Sequence, residues 1–433
     1  MFGGTIIGQG TITNPSRGQV IISEFRLRGP NGANDEFVEL YNTTSSTVVV
    51  TDQSNDVQHQ LLCNTTPPLG GSPCGWALVD LANRTGGGPK FIIPNGIQIP
   101  PYGHYLITNN GTSGYSLTNY AAADGSYTPN GTTISDIADN TGIALFKTSF
   151  SAAFDGSETA CVGGGTGVSA PCILDGVGFG NNAEPYREGT GLTPVTAIDD
   201  EHSYVRKFLT TGFPQDTNNN AQDFMLISTN ATTFNGCSDP LCNQYNTQLK
   251  ALLGAPGPEN LNSPINRTPT MRSSLIDSGG SLANGNAERN TNAFDYTRPL
   301  GGTISFPAGT LSLRRRITNT TGAPVTRIRI RINSLSTLNS PGYSLGGAQA
   351  DVRAINSDTV QVTLTMNNQM VTAQGVTLEE NPPDQPEGGG YNATLDVPIG
   401  GGLADTQSVV VNIRFGVKQG GQFKFSYTVE VLP

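Results

Sequence analysis

Six cysteines, three histidines and one run of side-chain oxygens are the residues of this 433-residue chain that could carry chemistry. The cysteines fall as close pairs, Cys63/Cys74, Cys161/Cys172 and Cys237/Cys242, each set among Gly, Pro, Ser and Asn. Thiols so placed can ligate zinc or oxidise to disulfides. Zinc asks for CxxC-like spacing or histidine partners, and His59, His104 and His202 are expected to stand away from the pairs. Six cysteines allow 15 pairings; proximity and turn-rich intervals favour three local disulfides, and with them an oxidising, extracellular or cell-surface location after export.

The oxygen run is DTNNNAQD, where Asp216, Asn218 and Asn220, followed by Asp223, repeat the first, third and fifth ligand positions of a calcium loop. Ala221 stands where an EF-hand needs Gly and Ile227 where it needs a bidentate Glu, so an EF-hand is excluded. Calcium here competes with an Asx-rich turn, and no other cofactor is expected. His202 lies in DDEHSY, beside Asp199, Asp200 and Glu201, and reads as part of a solvated acidic turn. HExxH, GxSxG, GxxxxGK[ST] and CxxC are absent from the sequence, and GGGTG at 163–167 lacks the strand–loop–helix setting of a phosphate loop. The expectation is a protein that is not an enzyme. N-x-[ST] sequons stand at Asn42, Asn64, Asn83, Asn110, Asn130, Asn230, Asn266, Asn319 and Asn392, and they mark candidate glycosylated surface loops.

The elements that must hold these residues are strands. Fifty-four Gly and 28 Pro interrupt regular structure throughout, and only 13% of residues are charged. Short β-type runs recur at 19–25, 36–42, 47–51, 75–81, 90–94, 104–108 and 142–146; Trp76, the single tryptophan, reads as a core anchor. Residues 244–253 have leucines near helical spacing, and 255–296, rich in Pro, Asn, Gly and Ser, reads as a linker. Longer strands follow at 310–318, 325–333, 359–366, 408–417 and 422–431. In VTRIRIRIN, Ile328, Ile330 and Ile332 share a core face, while Arg327, Arg329 and Arg331 face solvent or a partner. The fold class is all-β: two immunoglobulin-like β-sandwich domains, 18–254 and 297–433, joined by that linker and preceded by an extended segment, 1–17.

Residues 20–42, VIISEFRLRGPNGANDEFVELYN, resemble the opening of the bacterial lamin tail domain. The likeness continues through GW and LVD at 75–80, FIIPNGIQIPPYGHYLIT at 91–108, NTGIALF at 140–146, DGVGFG at 175–180, SYVRK at 203–207 and DTNNNAQDF at 216–224. It covers most of residues 18–258, with long inserts around 52–74, 109–139 and 155–172. The resemblance implies an immunoglobulin-like sandwich of a class used for binding and attachment, with no catalytic residues to carry over. The C-terminal region is more weakly similar to tail modules of exported bacterial proteins, which implies no activity.

Residues 1–296 hold 13 Lys and Arg against 25 Asp and Glu, a net of −12, whereas 297–433 hold 11 against 9, a net of +2. Such a bias can steer head-to-tail contacts between copies. An acidic chain whose RRR at 314–316 and Arg327, Arg329 and Arg331 lie in strand patterns with few interleaved aromatics argues against nucleic acid, and no apolar window is long enough for membrane insertion. In TIIGQGTIT (5–13), Ile6, Gly8, Gly10 and Ile12 share one strand face and Thr5, Ile7, Gln9, Thr11 and Thr13 the other. This segment either pairs within its own sandwich or adds to a sheet edge of another copy. The leading expectation is therefore an extracellular structural subunit of a self-assembling filament or layer; the alternative is an adhesin for a surface glycan or calcium, or an accessory to a secreted hydrolase.

Overall fold

The computed structural model describes residues 10–54, 56–63, 74–81, 88–129, 136–150, 154, 159–160, 172–180, 186–195, 198–230, 233–234, 249–266, 270–278, 285–337, 349–380 and 382–432. The chain is nearly all β and forms open, stacked sheets rather than a closed barrel. Among the described residues no helix is long and apolar enough to cross a membrane.

In the N-terminal half, a seven-stranded sheet has Val20–Arg26, Phe37–Asn42 and His104–Asn109 near its centre, flanked by His202–Arg206 and Phe224–Ser228. A five-stranded sheet built on Gly75–Asp80, Ile143–Phe146 and Cys172–Val177 faces it. Val20, Ile22, Val38 and Leu40 of the first sheet meet Trp76, Leu78, Ile143 and Leu145 of the second in one dry core. Trp76 is completely buried and its Nε1 donates to the Thr51 carbonyl at 3.0 Å, the core anchor that its residue type implied. Strand pairing slips between Ile22 and Glu24, so the core-facing set changes parity from Val20 and Ile22 to Phe25 and Leu27. That slip places Glu24 and Arg26 on the outer face.

The C-terminal half repeats this plan. A five-stranded sheet centred on Phe425–Leu432, Arg327–Leu335 and Thr394–Val397 packs on a larger sheet led by Thr310–Asn319 and Ser408–Gln419. Ile328, Ile330 and Ile332 enter the core as their alternation requires, and a slip between Ile332 and Ser334 brings Leu335 in after them.

Two expectations are corrected. Residues 249–253 do not continue a helix: Leu249–Lys250 and Leu252–Leu253 are strands, the second pairing in parallel with Ile227 and Ser228. The segment 255–296 is not a free linker. Its strands Ile265–Asn266, Met271–Ser274 and Ala287–Asn290 join C-terminal sheets, and Phe294–Thr297 pairs with Thr303–Phe306. Residues 255–259 are buried between the two halves. Pro and Gly in APGPE suit a segment that must pass through a crowded layer with few ladder hydrogen bonds to make.

Candidate functional site

A dense grouping of ionisable residues lies where the seven-stranded N-terminal sheet and the five-stranded C-terminal sheet meet. Because side chains alternate along a strand, packing isoleucines inward aims Arg329 and Arg331 outward, and packing Val38 and Leu40 inward aims Glu39 and Tyr41 outward. Each outer face then covers the other. Arg329 and Arg331 are 2% and 3% exposed, against the partly open Arg327, which pairs with Glu379 and Asp396 at the rim. The partner open to these arginines in the sequence is therefore the chain's own N-terminal half. Likewise the strand Phe37–Asn42 is buried on both sides.

Within the junction Arg331 Nε donates to Glu430 Oε1 at 2.6 Å, and Arg329 Nε to Glu430 Oε2 at 2.8 Å. Both guanidinium groups also reach Glu259 of the intervening segment, Arg331 at 3.1 Å. His104 bridges Glu39 and Glu259, with Nδ1 and Nε2 at 3.1 and 3.0 Å from their carboxylates. Arg331 Nη1 donates to Asn392 Oδ1 at 2.6 Å, and Asn392 Nδ2 donates to Glu24 Oε2 at 3.1 Å. Backbone N–H groups of Gly257 and Glu259 donate to Glu24 and Glu39, tying the intervening segment to both sheets.

Burial works against a charged His104, yet Glu259 and Glu39 on either side raise it to about 10, so it is a cation at neutral pH. Burial followed by the neighbouring Glu39 pushes Glu24 well above the usual carboxylate range, which makes it the protonated member. Glu259 moves the other way: two arginines and His104 outweigh its burial and hold it below that range. His104, Arg329 and Arg331 thus face Glu39, Glu259 and Glu430 across the buried cluster. A cavity of about 30 Å³ in its midst, lined by Tyr41, His104, Glu259 and Arg331, has room for a water molecule at most.

At 216–223 the candidate calcium ligands are engaged in the protein's own hydrogen bonds and ion pairs, and carboxylate oxygens of Asp216 and Asp223 lie within 4.8 Å of one of Glu188. Asn220 is fully buried, with Oδ1 accepting from the Gly178 and Glu188 N–H groups and Nδ2 donating to the Gly176 carbonyl. Asp216 accepts from the Asn218 N–H, an Asx-turn contact, and Asp223 closes the loop by accepting from the Thr217 N–H and hydroxyl and the Asn219 N–H behind it. The positive charge among these acids is Arg206: its Nη2 lies 2.8 Å from Asp175, and its Nη1 lies 3.4 Å from both Asp216 and Asp223. Nothing in the sequence spacing announced a buried arginine between them.

His202 is not part of a solvated turn but begins the buried strand His202–Arg206, where burial depresses it to about 4. Of the expected disulfides, Cys63–Cys74 is present; the side chains of Cys161, Cys172, Cys237 and Cys242 lie outside the described residues. His59 corrects the expectation that histidines stand clear of cysteine, since its Nε2 is 3.3 Å from Cys63 Sγ. The spacing of four residues on one helix carried that signal.

Among the sequons, Asn42, Asn266, Asn319 and Asn392 are buried and hydrogen-bonded, so they are not glycan sites in the folded chain. Asn110 and Asn230 are exposed, and Asn64, Asn83 and Asn130 lie outside the described residues. In the N-terminal segment, Thr5, Ile6, Ile7 and Gly8 also lie outside them. Thr11 and Ile12 pair in parallel with Thr47 and Val48 of the same chain, and Ile12 packs against the N-terminal core, while Gly10 is exposed. The part of the segment described is thus used within its own sandwich, because the edge at 47–48 is adjacent and satisfies its backbone groups.

No protein-family model, no curated protein and no solved structure matches this chain.

Proposed function

We propose that this chain is a non-enzymatic extracellular structural protein, a stiff double sandwich that serves as the building block of a surface filament or layer formed with its own copies. The observation that carries the reading is the junction: seven ionisable side chains, Glu24, Glu39, His104, Glu259, Arg329, Arg331 and Glu430, face one another in the interior rather than an open cleft. Such a joint fixes the outer faces of the two halves relative to each other, which is what a repeating contact requires. The motifs resembling the lamin tail domain contribute Glu39 and Arg206 to buried networks, in keeping with attachment rather than catalysis. Strand donation by residues 11–12 is no part of this proposal, since those residues pair at home. A negative net charge in the first 296 residues and a slight positive one in the rest leave head-to-tail contact as the favoured geometry.

The test is sedimentation velocity and negative-stain microscopy of the full chain over a concentration series. Ordered filaments or sheets are expected; monodisperse monomers at every concentration would overturn the proposal. A second reading, a glycan-binding adhesin, has one observation in its favour. A cleft of about 370 Å³ between the halves is lined by Phe208, Tyr391, Asn333, Ser334 and Ser426, an aromatic and hydroxyl mixture suited to sugar. Monomers that bind an immobilised glycan, with binding lost in Asn333→Ala, would favour that reading.

A further inference from the structure

The loop and short helix at residues 52–63 bring Asp52, His59 and Cys63 together with Cys74, a set that the junction does not use. Asp56 caps the helix Val57–Cys63, its carboxylate accepting from the His59 N–H at 2.7 Å. His59 and Cys63, four residues apart, therefore lie on one helical face. His59 Nε2 is 3.1 Å from Asp52 Oδ2 and 3.3 Å from Cys63 Sγ. One ligand atom from each of Asp52, His59, Cys63 and Cys74 lies within 4.8 Å of all the others. Tetrahedral zinc, with bonds of about 2.3 Å to sulfur and about 2.0 Å to nitrogen or oxygen, sets its ligands roughly 3.2–3.8 Å apart.

We propose that the Cys63–Cys74 disulfide and a zinc centre of two cysteines, His59 and Asp52 are alternative states of one site, exchanged by thiol–disulfide chemistry. An external dithiol would supply two electrons and two protons, breaking the S–S bond to give two thiols while itself becoming a disulfide. Zinc binding then displaces the two thiol protons, giving two thiolate ligands beside a neutral imidazole and the Asp52 carboxylate. Reoxidation by a disulfide oxidant takes two electrons from the thiolates, re-forms the bond and releases the metal. The carboxylate is already oriented: Asp52 Oδ2 accepts from the Ser149 N–H at 2.9 Å and the Ser149 hydroxyl at 2.7 Å, and Oδ1 from the Thr148 hydroxyl at 2.9 Å. Supports of this kind hold first ligands in place at metal sites. His59 and Asp52 are 14% and 3% exposed at their side chains, so the cluster is largely closed to solvent. Parallel donors from a helix, a loop and the start of a strand are what distinguish this cluster from a chance acidic patch.

The test uses the full chain. After reduction with a thiol-free phosphine, iodoacetamide labelling is followed by peptide mapping with and without one equivalent of Zn²⁺. Cys63 and Cys74 should be protected at least tenfold by zinc, and the protection should fall at least tenfold in His59→Ala and in the milder His59→Gln. Co²⁺ added to the reduced wild-type chain should give the tetrahedral d–d and thiolate charge-transfer bands, and the oxidised chain should give neither. Equal labelling of Cys63 and Cys74 with and without zinc, protection unchanged in both His59 variants, or a reduced chain without cobalt bands would each overturn the proposal.

Discussion

Asn42 and Asn319 build the same corner in the two sandwiches. In each, the amide nitrogen donates to the carbonyl four residues ahead, Ser46 or Ala323, and the amide oxygen accepts from both the N–H and the hydroxyl of the threonine two residues ahead, Thr44 or Thr321. Each amide also reaches across its sandwich, to the Ile99 and Pro100 carbonyls or to the Leu403 carbonyl. The sequence Asn-Thr-Thr at both places is thus a turn device, and its identity to a sequon is a consequence of needing an amide and a hydroxyl two residues apart.

Replacing Asn42 or Asn319 with Ala should cost about 1–3 kcal/mol, because buried carbonyls lose their donor. Chemical denaturation of each variant measures this. If the chain is produced in a glycosylating host, sugar should be found at Asn110 or Asn230 and not at Asn42, Asn266, Asn319 or Asn392. Glycan at any of those four in folded material would contradict the burial described.

At the second acidic cluster, Arg206→Met should destabilise by about 3–5 kcal/mol, since Asp175 and Asp223 are buried and lose their counter-charge. Millimolar Ca²⁺ should raise the variant's melting temperature and leave the wild type unchanged. A wild-type chain stabilised by calcium would show that the guanidinium does not fill the cation's place.

Which side chains face the core could be read from alternation at Ile328, Ile330 and Ile332 and from residue type at Trp76, but not past the slips that bring Phe25 and Leu335 inward. What covers an outward face could not. Arg327, Arg329 and Arg331 are the same residue at the same spacing, yet one sits at the rim and two are buried, because only the position of the N-terminal sandwich distinguishes them. The buried course of APGPE was hidden for a similar reason: Pro, Gly and Glu signal a loop, and whether a loop is covered depends on the packing of two sheets. The 1, 3, 5 oxygen pattern at 216–220 was legible, but Arg206, which pairs with Asp216 and Asp223, comes from a strand ten residues away. Only the His59–Cys63 spacing carried a local signal that sequence reading passed over.

The junction should behave as one cooperative unit. Arg331→Ala leaves Glu430 and Glu259 each short of a partner in the interior, a loss on the order of 3 kcal/mol. Calorimetry should then resolve two transitions in place of one, and limited proteolysis should begin to cut within 254–262. A variant that melts in a single transition at the wild-type temperature would show that the two halves do not depend on this cluster for their docking.

The pH dependence follows from His104. Its folded value, raised to about 10, lies above the ordinary 6.5, so the stability it contributes is complete below about 6.5 and is lost as pH rises through 10. Glu36 adds in the same direction. Burial raises it to about 8 against the hydrogen bonds it receives from Tyr127, Asn109 and Ile137, so its contribution fades between about 4.5 and 8. Glu259 has the opposite sign: held below the ordinary carboxylate range, it contributes above about 4.5 and its share is lost only on acidification. Stability should therefore peak near pH 5–6 and decline toward pH 10, with His104 alone accounting for on the order of 3 kcal/mol. In His104→Gln the fall between pH 7 and 10 should be markedly shallower, while the fall below pH 4 persists. Urea unfolding at fixed pH values across that range measures both slopes, and a variant that keeps the full alkaline decline would place its origin elsewhere than in the Glu39–His104–Glu259 bridge.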